Sequence, residues 1–119
     1  MKLNTLFIIT AISCLFFGLM CLFIPVKFFS GYGVTVTAAH AFSAQLLGAA
    51  NLAIAVLVWL GRKSKDTKPI VISMFVFHVI GFVVSLLTML NKVMGSSGWS
   101  AVVIFLVLTL GYTYFLFKK

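Results

Sequence analysis

The stretch HAFSAQLLGAANLAIAVLVWLGR, residues 40–62, decides the fold. It holds no lysine, arginine or acid before Arg62, and it is long enough to cross a bilayer, which takes roughly 20 apolar residues in a helix. Two amides, Gln45 and Asn51, nevertheless lie among its alanines and glycines. Hydrocarbon offers a buried amide no hydrogen-bond partner, so these side chains need protein groups nearby. The stretch therefore predicts a transmembrane helix that packs closely against other helices.

Further long runs with few or no charges lie on both sides of this stretch. Together they predict four spans at about residues 3–24, 39–60, 69–91 and 98–117. Only 8% of the 119 residues are charged, whereas a soluble domain carries about 25%. The first run continues for ten residues past Cys14, too far for a signal-peptide core, so we expect it to remain as a helix. The sequence predicts an all-α fold, an integral membrane four-helix bundle, with residues 1–119 forming a single domain.

The positive charges are distributed unequally between the two sides of the predicted membrane domain. Four spans bring seven cations to one side, with only Lys27 and Lys92 on the other, and the positive-inside rule then places both termini in the cytoplasm. Trp59, Tyr112 and Tyr114 are expected at the same interface, where amphipathic rings concentrate. Cations at this level bind anionic lipid headgroups, so the net charge of +8 does not indicate a nucleic-acid partner. The expected lipid anchors are Arg62, Lys63, Lys65, Lys68, Lys118 and Lys119.

Small residues recur at helical spacing along the first three spans. Helices in lipid associate by close packing, which favours small side chains at their contacts. If the second and third spans form an antiparallel hairpin, counting outward from their link pairs Gly48 with Gly81 and Asn51 with His78. A matching stripe in the first span, Ala11, Cys14, Gly18 and Cys21, would then pack on the other side of the second span, with Gln45 near that seam. The predicted helix-packing residues are Gly18, Ala44, Gly48, Gly81 and Ser85.

His78 is the ionisable side chain nearest the middle of the predicted bilayer. Such residues are functional candidates by default, and His78, Asn51 and Gln45 form the predicted polar cluster. His78 would relay a proton, ligate haem or bind a quinone oxygen, or else be a neutral packing residue hydrogen-bonded to Asn51 or to a serine. No acid lies within a span, and there is no nucleophile elbow, glycine-rich phosphate loop or metal-ligand cluster. The sequence therefore predicts no catalytic residue, no metal and no cofactor.

Residues 25–62 also carry a family resemblance. A first span that ends in proline, the run PVKFFSGYG and the later small-residue pattern AQLLGAANLAIAVLVWLGR resemble the small four-helix bacterial membrane proteins of the DoxX-like group. The resemblance implies a four-helix membrane fold in a prokaryotic plasma membrane, and some members are subunits of membrane redox complexes. Members often carry an arginine near the start of the second span, and this chain has none there.

Three functions follow as hypotheses. The first is a small non-catalytic integral membrane subunit that acts through lateral helix packing with itself or with other membrane subunits, in contact with membrane lipids. The second is a binding or transport module for a lipid, a quinone or a small neutral solute. The third is a subunit of a membrane redox enzyme. A filled bundle interior favours the first, and a cavity that reaches His78 favours the second.

Overall fold

A computed structural model describes residues 2–118 of the chain, and within this range it contains helices and no strands. The helices are α1 (Leu3–Phe23), α2 (Pro25–Ser30), α3 (Ala38–Gly61), α4 (Lys68–Leu90) and α5 (Trp99–Phe117). A single 3-10 turn, Ser96–Gly98, leads into α5. The four long helices are each long and apolar enough to cross a membrane. They indicate a multi-pass membrane protein, as the sequence predicts.

Prolines and one threonine set several helix boundaries. Proline has no N–H to donate and fits the first turn of a helix, so α1 ends before Pro25, which begins the short helix α2. Pro69 lies in the first turn of α4 in the same way. At the start of α3, the Thr37 hydroxyl accepts a hydrogen bond from the His40 N–H at 3.4 Å, which is an N-cap. Helix α2 lies in the segment between the first two predicted spans.

The long helices are arranged as two antiparallel pairs. Helix α1 packs along α3, α4 packs along α5, and the pairs also meet between α1 and α5. Helices α3 and α4 are joined by a short link but do not run along each other. The predicted hairpin of the second and third spans is therefore wrong, because each of these helices takes a different neighbour.

The glycines show which helices approach most closely. A Cβ placed on Gly48 would lie 2.7 Å from the carbonyl oxygen of Gly18 and 2.9 Å from the amide nitrogen of Leu22, so the backbones of α1 and α3 are in contact there. Gly81 instead faces the ring of Phe105 on α5. The predicted Gly48–Gly81 contact is thus wrong, and the small-residue stripe of α1 occupies the face of α3 that was assigned to α4.

A compact apolar core joins all four long helices near one end of the molecule. We call this the basic end, because α1 and α4 begin here, α3 and α5 end here, and it carries Lys2, Arg62, Lys63, Lys65, Lys68 and Lys118. The core consists of Leu6, Phe7, Val58, Val71, Met74, Leu108 and Tyr112. At the opposite end, the loop after α2 is hydrogen-bonded to the segment before α5. The Gly95 N–H donates to the Tyr32 carbonyl at 2.7 Å, and the Ser97 hydroxyl donates to the Gly31 carbonyl, also at 2.7 Å.

Candidate functional site

His78 lies in the interior, enclosed by aromatic rings. It is 1% exposed, and its ring stacks on that of Tyr112 with centroids 5.3 Å apart and planes 18° apart. Phe77 and Phe105 approach it with centroid distances of 5.0 and 5.8 Å. The Nδ1 atom lies 2.7 Å from the Met74 carbonyl oxygen, which can only accept, so Nδ1 carries the proton. The imidazole is thereby fixed in one orientation, by stacking on α5 and by a hydrogen bond within α4.

Tyr112 connects this ring stack to α1 through a buried hydrogen bond. Its hydroxyl lies 2.7 Å from that of Thr10, and both residues are 0% exposed. Tyr112, expected near the membrane interface, is thus enclosed within the bundle, and its depth in a bilayer stays a prediction. The sequence did contain a signal, because Thr10 lies one turn before Cys14 on the packing stripe of α1. A buried hydroxyl on such a face needs a partner.

The three members of the predicted polar cluster lie in separate places. Asn51 is buried on the same face of α3 as Gly48, and its Nδ2 donates to the Leu47 carbonyl of its own helix at 2.9 Å. The predicted bond between Asn51 and His78 is thus wrong, because each side chain binds a carbonyl one turn earlier in its own helix. Gln45 is exposed, and its Nε2 donates to the Leu22 carbonyl of α1 at 3.3 Å, so this amide lies at the seam between α1 and α3.

The other residues predicted to pack between helices are mostly enclosed. Gly18, Ala44, Gly48 and Ser85 are buried, and Gly81 is half-buried. Gly81 contacts the ring of Phe105 rather than a backbone, so it makes room for a large side chain of α5. Small residues therefore provide two kinds of contact in this protein: backbone on backbone between α1 and α3, and ring against glycine between α4 and α5.

No protein family, curated protein or solved structure matches this chain. The resemblance to the DoxX-like group stays a prediction. Function must therefore be inferred from the geometry of the chain's own residues.

Within residues 2–118 a cavity lies at each end of the molecule, and His78 lines neither of them. One, of about 290 Å³, lies at the loop end and is lined by Val26, Ser30, Gly33, Val34, Thr35 and Val36. The other, of about 360 Å³, lies at the basic end and is lined by Leu3, Lys65, Asp66, Thr67, Lys68, Val71, Phe115, Leu116 and Lys118. The first has a mostly apolar lining without charge, whereas the second combines charged and apolar side chains.

Two cations of the basic end, Arg62 and Lys118, lie beside aromatic rings. The Arg62 guanidinium lies 3.8 Å from the ring centroid of Trp59, and its Nη1 donates to the side-chain oxygen of Asn4 at 3.5 Å. The Lys118 amine lies 5.5 Å from the ring centroid of Tyr114. Lys63, Lys65 and Lys68 are exposed, and Lys119, also predicted as an anchor, lies outside the described residues. Cations that stack on exposed rings at helix ends suit the boundary between lipid and water.

Proposed function

We propose that this chain is a small non-catalytic subunit of a prokaryotic plasma membrane, which associates laterally with further membrane helices through α4. The observation that carries this proposal is the unequal burial of the long helices. In the most apolar window of each helix, 39% of the residues are buried in α1 and 28% in α3, against 22% in α4 and 17% in α5. The α4–α5 pair thus has fewer residues enclosed within the bundle than the α1–α3 pair.

The side chains on that surface favour α4 as the contact. Among the exposed large apolar residues, five of seven on α4 are β-branched, against one of seven on α3. β-Branched side chains are stiff at χ1 and so lose little rotamer entropy when a second helix immobilises them. This favours association in lipid, where packing rather than the hydrophobic effect drives helices together. The seven exposed large apolar residues of α4, which we call the α4 face, are Ile72, Val76, Ile80, Val83, Val84, Leu87 and Leu90.

The enclosure of His78 supports a subunit rather than a binding or transport module. Rings from α4 and α5 surround the imidazole, and the Tyr112 hydroxyl that lies nearby is already bonded to Thr10. A ligand at this position would have to displace well-packed aromatic side chains, at a cost of several kcal/mol for each buried ring. The exterior of the bundle is the more favourable place for recognition.

Site-specific photo-crosslinking tests the proposal. A photoreactive phenylalanine analogue is placed in turn at Val76, Ile80 and Val83, which are 48%, 57% and 47% exposed. The matched control positions are Leu46, Val56 and Leu57 on α3, which are 57%, 58% and 48% exposed. In native membranes we expect protein adducts at the α4 positions and lipid adducts at the α3 positions. Mass spectrometry then identifies whether the partner is a second copy or another membrane protein. Equal yields of protein adduct at both sets would overturn the assignment to α4.

A further inference from the structure

We propose that the cavity at the basic end binds the headgroup phosphate of an anionic phospholipid. The cavity lies where the beginning of α1, the link before α4 and the end of α5 converge, and has a volume of about 360 Å³. That place is at the ends of the apolar spans, which is the level of lipid headgroups when the helices cross a bilayer. A phospholipid would therefore reach the cavity without leaving its leaflet.

The charges lining the cavity select an anion. Among the described residues that line it, three are lysines, Lys65, Lys68 and Lys118, and one is a carboxylate. That carboxylate belongs to Asp66, the one acid in the sequence, and its Oδ1 accepts a hydrogen bond from the Lys68 backbone N–H at 3.2 Å. The positive charge of the lining exceeds the negative, and a phosphate offers several acceptor oxygens to ammonium groups. The electrostatics therefore favour an anionic headgroup over a zwitterionic one.

The remaining lining distinguishes a lipid from a free phosphate ion. Leu3, Val71, Phe115 and Leu116 contribute apolar surface to the same cavity. Inorganic phosphate gains nothing from such surface, whereas the glycerol and first methylenes of a phospholipid bury apolar area against it. Charged and apolar walls in a single cavity at this level match an amphipathic ligand.

The test uses the full chain reconstituted in nanodiscs of phosphatidylcholine alone or mixed with phosphatidylglycerol. The pocket variant combines Lys65→Gln, Lys68→Gln and Lys118→Gln. The control variant combines Lys2→Gln, Lys27→Gln and Lys92→Gln, which removes the same charge from positions that are neither in the cavity lining nor among the predicted lipid anchors. Native mass spectrometry measures how strongly each protein retains phosphatidylglycerol over phosphatidylcholine. We expect the natural chain and the control variant to prefer phosphatidylglycerol. The pocket variant should lose roughly 100-fold of that preference, since each of three surface lysines contributes about a factor of five.

A second variant keeps the proposal testable if the triple substitution impairs folding. Asp66→Asn removes the opposing charge but keeps an oxygen that accepts from the Lys68 N–H, so it should increase retention of phosphatidylglycerol by several-fold. Inorganic phosphate added to phosphatidylcholine nanodiscs should not be retained by the natural chain as phosphatidylglycerol is. Equal losses in the pocket and control variants would show a general charge effect and overturn the site. If inorganic phosphate were retained as strongly as phosphatidylglycerol, the ligand would be a free anion rather than a lipid, and the proposal would be overturned as well.

Discussion

Gly48 shows at the level of one residue how α1 and α3 come together. The nearest neighbours of its missing side chain are backbone atoms, the Gly18 oxygen at 2.7 Å and the Leu22 nitrogen at 2.9 Å from an ideal Cβ position. Backbone atoms of two helices cannot move aside without separating the helices. The contact between α1 and α3 thus depends on the absence of one methyl group.

Gly48→Ala should therefore destabilise the protein even though alanine is the better helix former. We expect a net loss of roughly 1–2 kcal/mol in the free energy of unfolding, since overpacking costs about 1–3 kcal/mol and the gain in helix propensity offsets up to about 1 kcal/mol. Unfolding in mixed detergent micelles measures the difference. The matched control is Gly111→Ala, whose Cβ would meet side-chain atoms of Leu6, with Cδ1 at 2.9 Å and Cδ2 at 3.3 Å, rather than backbone. If both variants were equally stable, the backbone contact would not limit packing.

The hydrogen bond between Thr10 and Tyr112 is the second residue-level prediction. Bonds between membrane helices are worth about 0.6 kcal/mol on average and at most about 1.7 kcal/mol, and this one is short and fully buried. A double-mutant cycle with Thr10→Val and Tyr112→Phe should give a coupling energy of roughly 1–1.7 kcal/mol, in the upper part of that range. Thr113→Val is the control, because the Thr113 hydroxyl bonds to the Thr109 carbonyl of its own helix. Its cycle with Tyr112→Phe should show coupling near zero, and additive effects of Thr10 and Tyr112 would refute the bond.

The sequence predicts which residues are buried better than it predicts which residues they contact. His78, Asn51 and Gly48 were expected inside and are buried, because a polar or small side chain within an apolar helix seldom faces lipid. Their partners could not be read in the same way. A carbonyl one turn earlier is always available to an amide or an imidazole, so Asn51 and His78 satisfy themselves within their own helices. Only the geometry of all four helices shows that Tyr112 stacks on His78.

At the scale of elements, a stripe of small residues indicates close approach but not the neighbour that approaches. The stripe of α3 fits α1 and α4 equally well by spacing, and the short link favours α4. Gly18 decides the outcome, because a glycine at its level lets α1 lie backbone to backbone on α3. Gly81 of α4 instead contacts the ring of Phe105. Matching small residues with small residues could not predict this contact, because Phe105 is large.

Helix α2 depends on an aromatic cluster, and one substitution should release it. Phe28 packs edge-on against Phe17 of α1 and against Tyr32, with centroids 5.4 Å apart in both cases. Such pairs contribute about 0.5–1.5 kcal/mol each, so Phe28→Ala should lower the free energy of local opening by roughly 1–3 kcal/mol. Hydrogen exchange measured on residues 25–34 should become faster while exchange in α3 stays unchanged. Phe42→Ala, at a side chain that is 64% exposed, is the control, and unaltered exchange in the Phe28 variant would contradict the anchoring role.

At the scale of the whole molecule, its length and its charges agree on how it would sit in a bilayer. The longest dimension between Cα atoms is 45 Å, close to the thickness of about 40–45 Å for a bilayer with its headgroups. Six cations lie at the basic end among the described residues, and Lys27 and Lys92 lie at the other. We therefore propose that the basic end, with both termini, faces the cytoplasm, as the positive-inside rule requires.

Thiol labelling of single cysteines tests this orientation without altering any charge. Ser64 and Ser96 are both exposed and lie in the loops at the basic end and the opposite end, respectively. A membrane-impermeant maleimide should label Ser96→Cys in intact cells, and it should label Ser64→Cys only after the membrane is permeabilised. The native Cys14 and Cys21 are 4% and 0% exposed, so the unsubstituted chain is the control and should stay unlabelled under both conditions. Labelling of Ser64→Cys in intact cells would show the opposite orientation.

In that orientation the phospholipid cavity would face the outer leaflet. The same lysines would still meet any anionic lipid present there, so the orientation and the lipid site are independent claims.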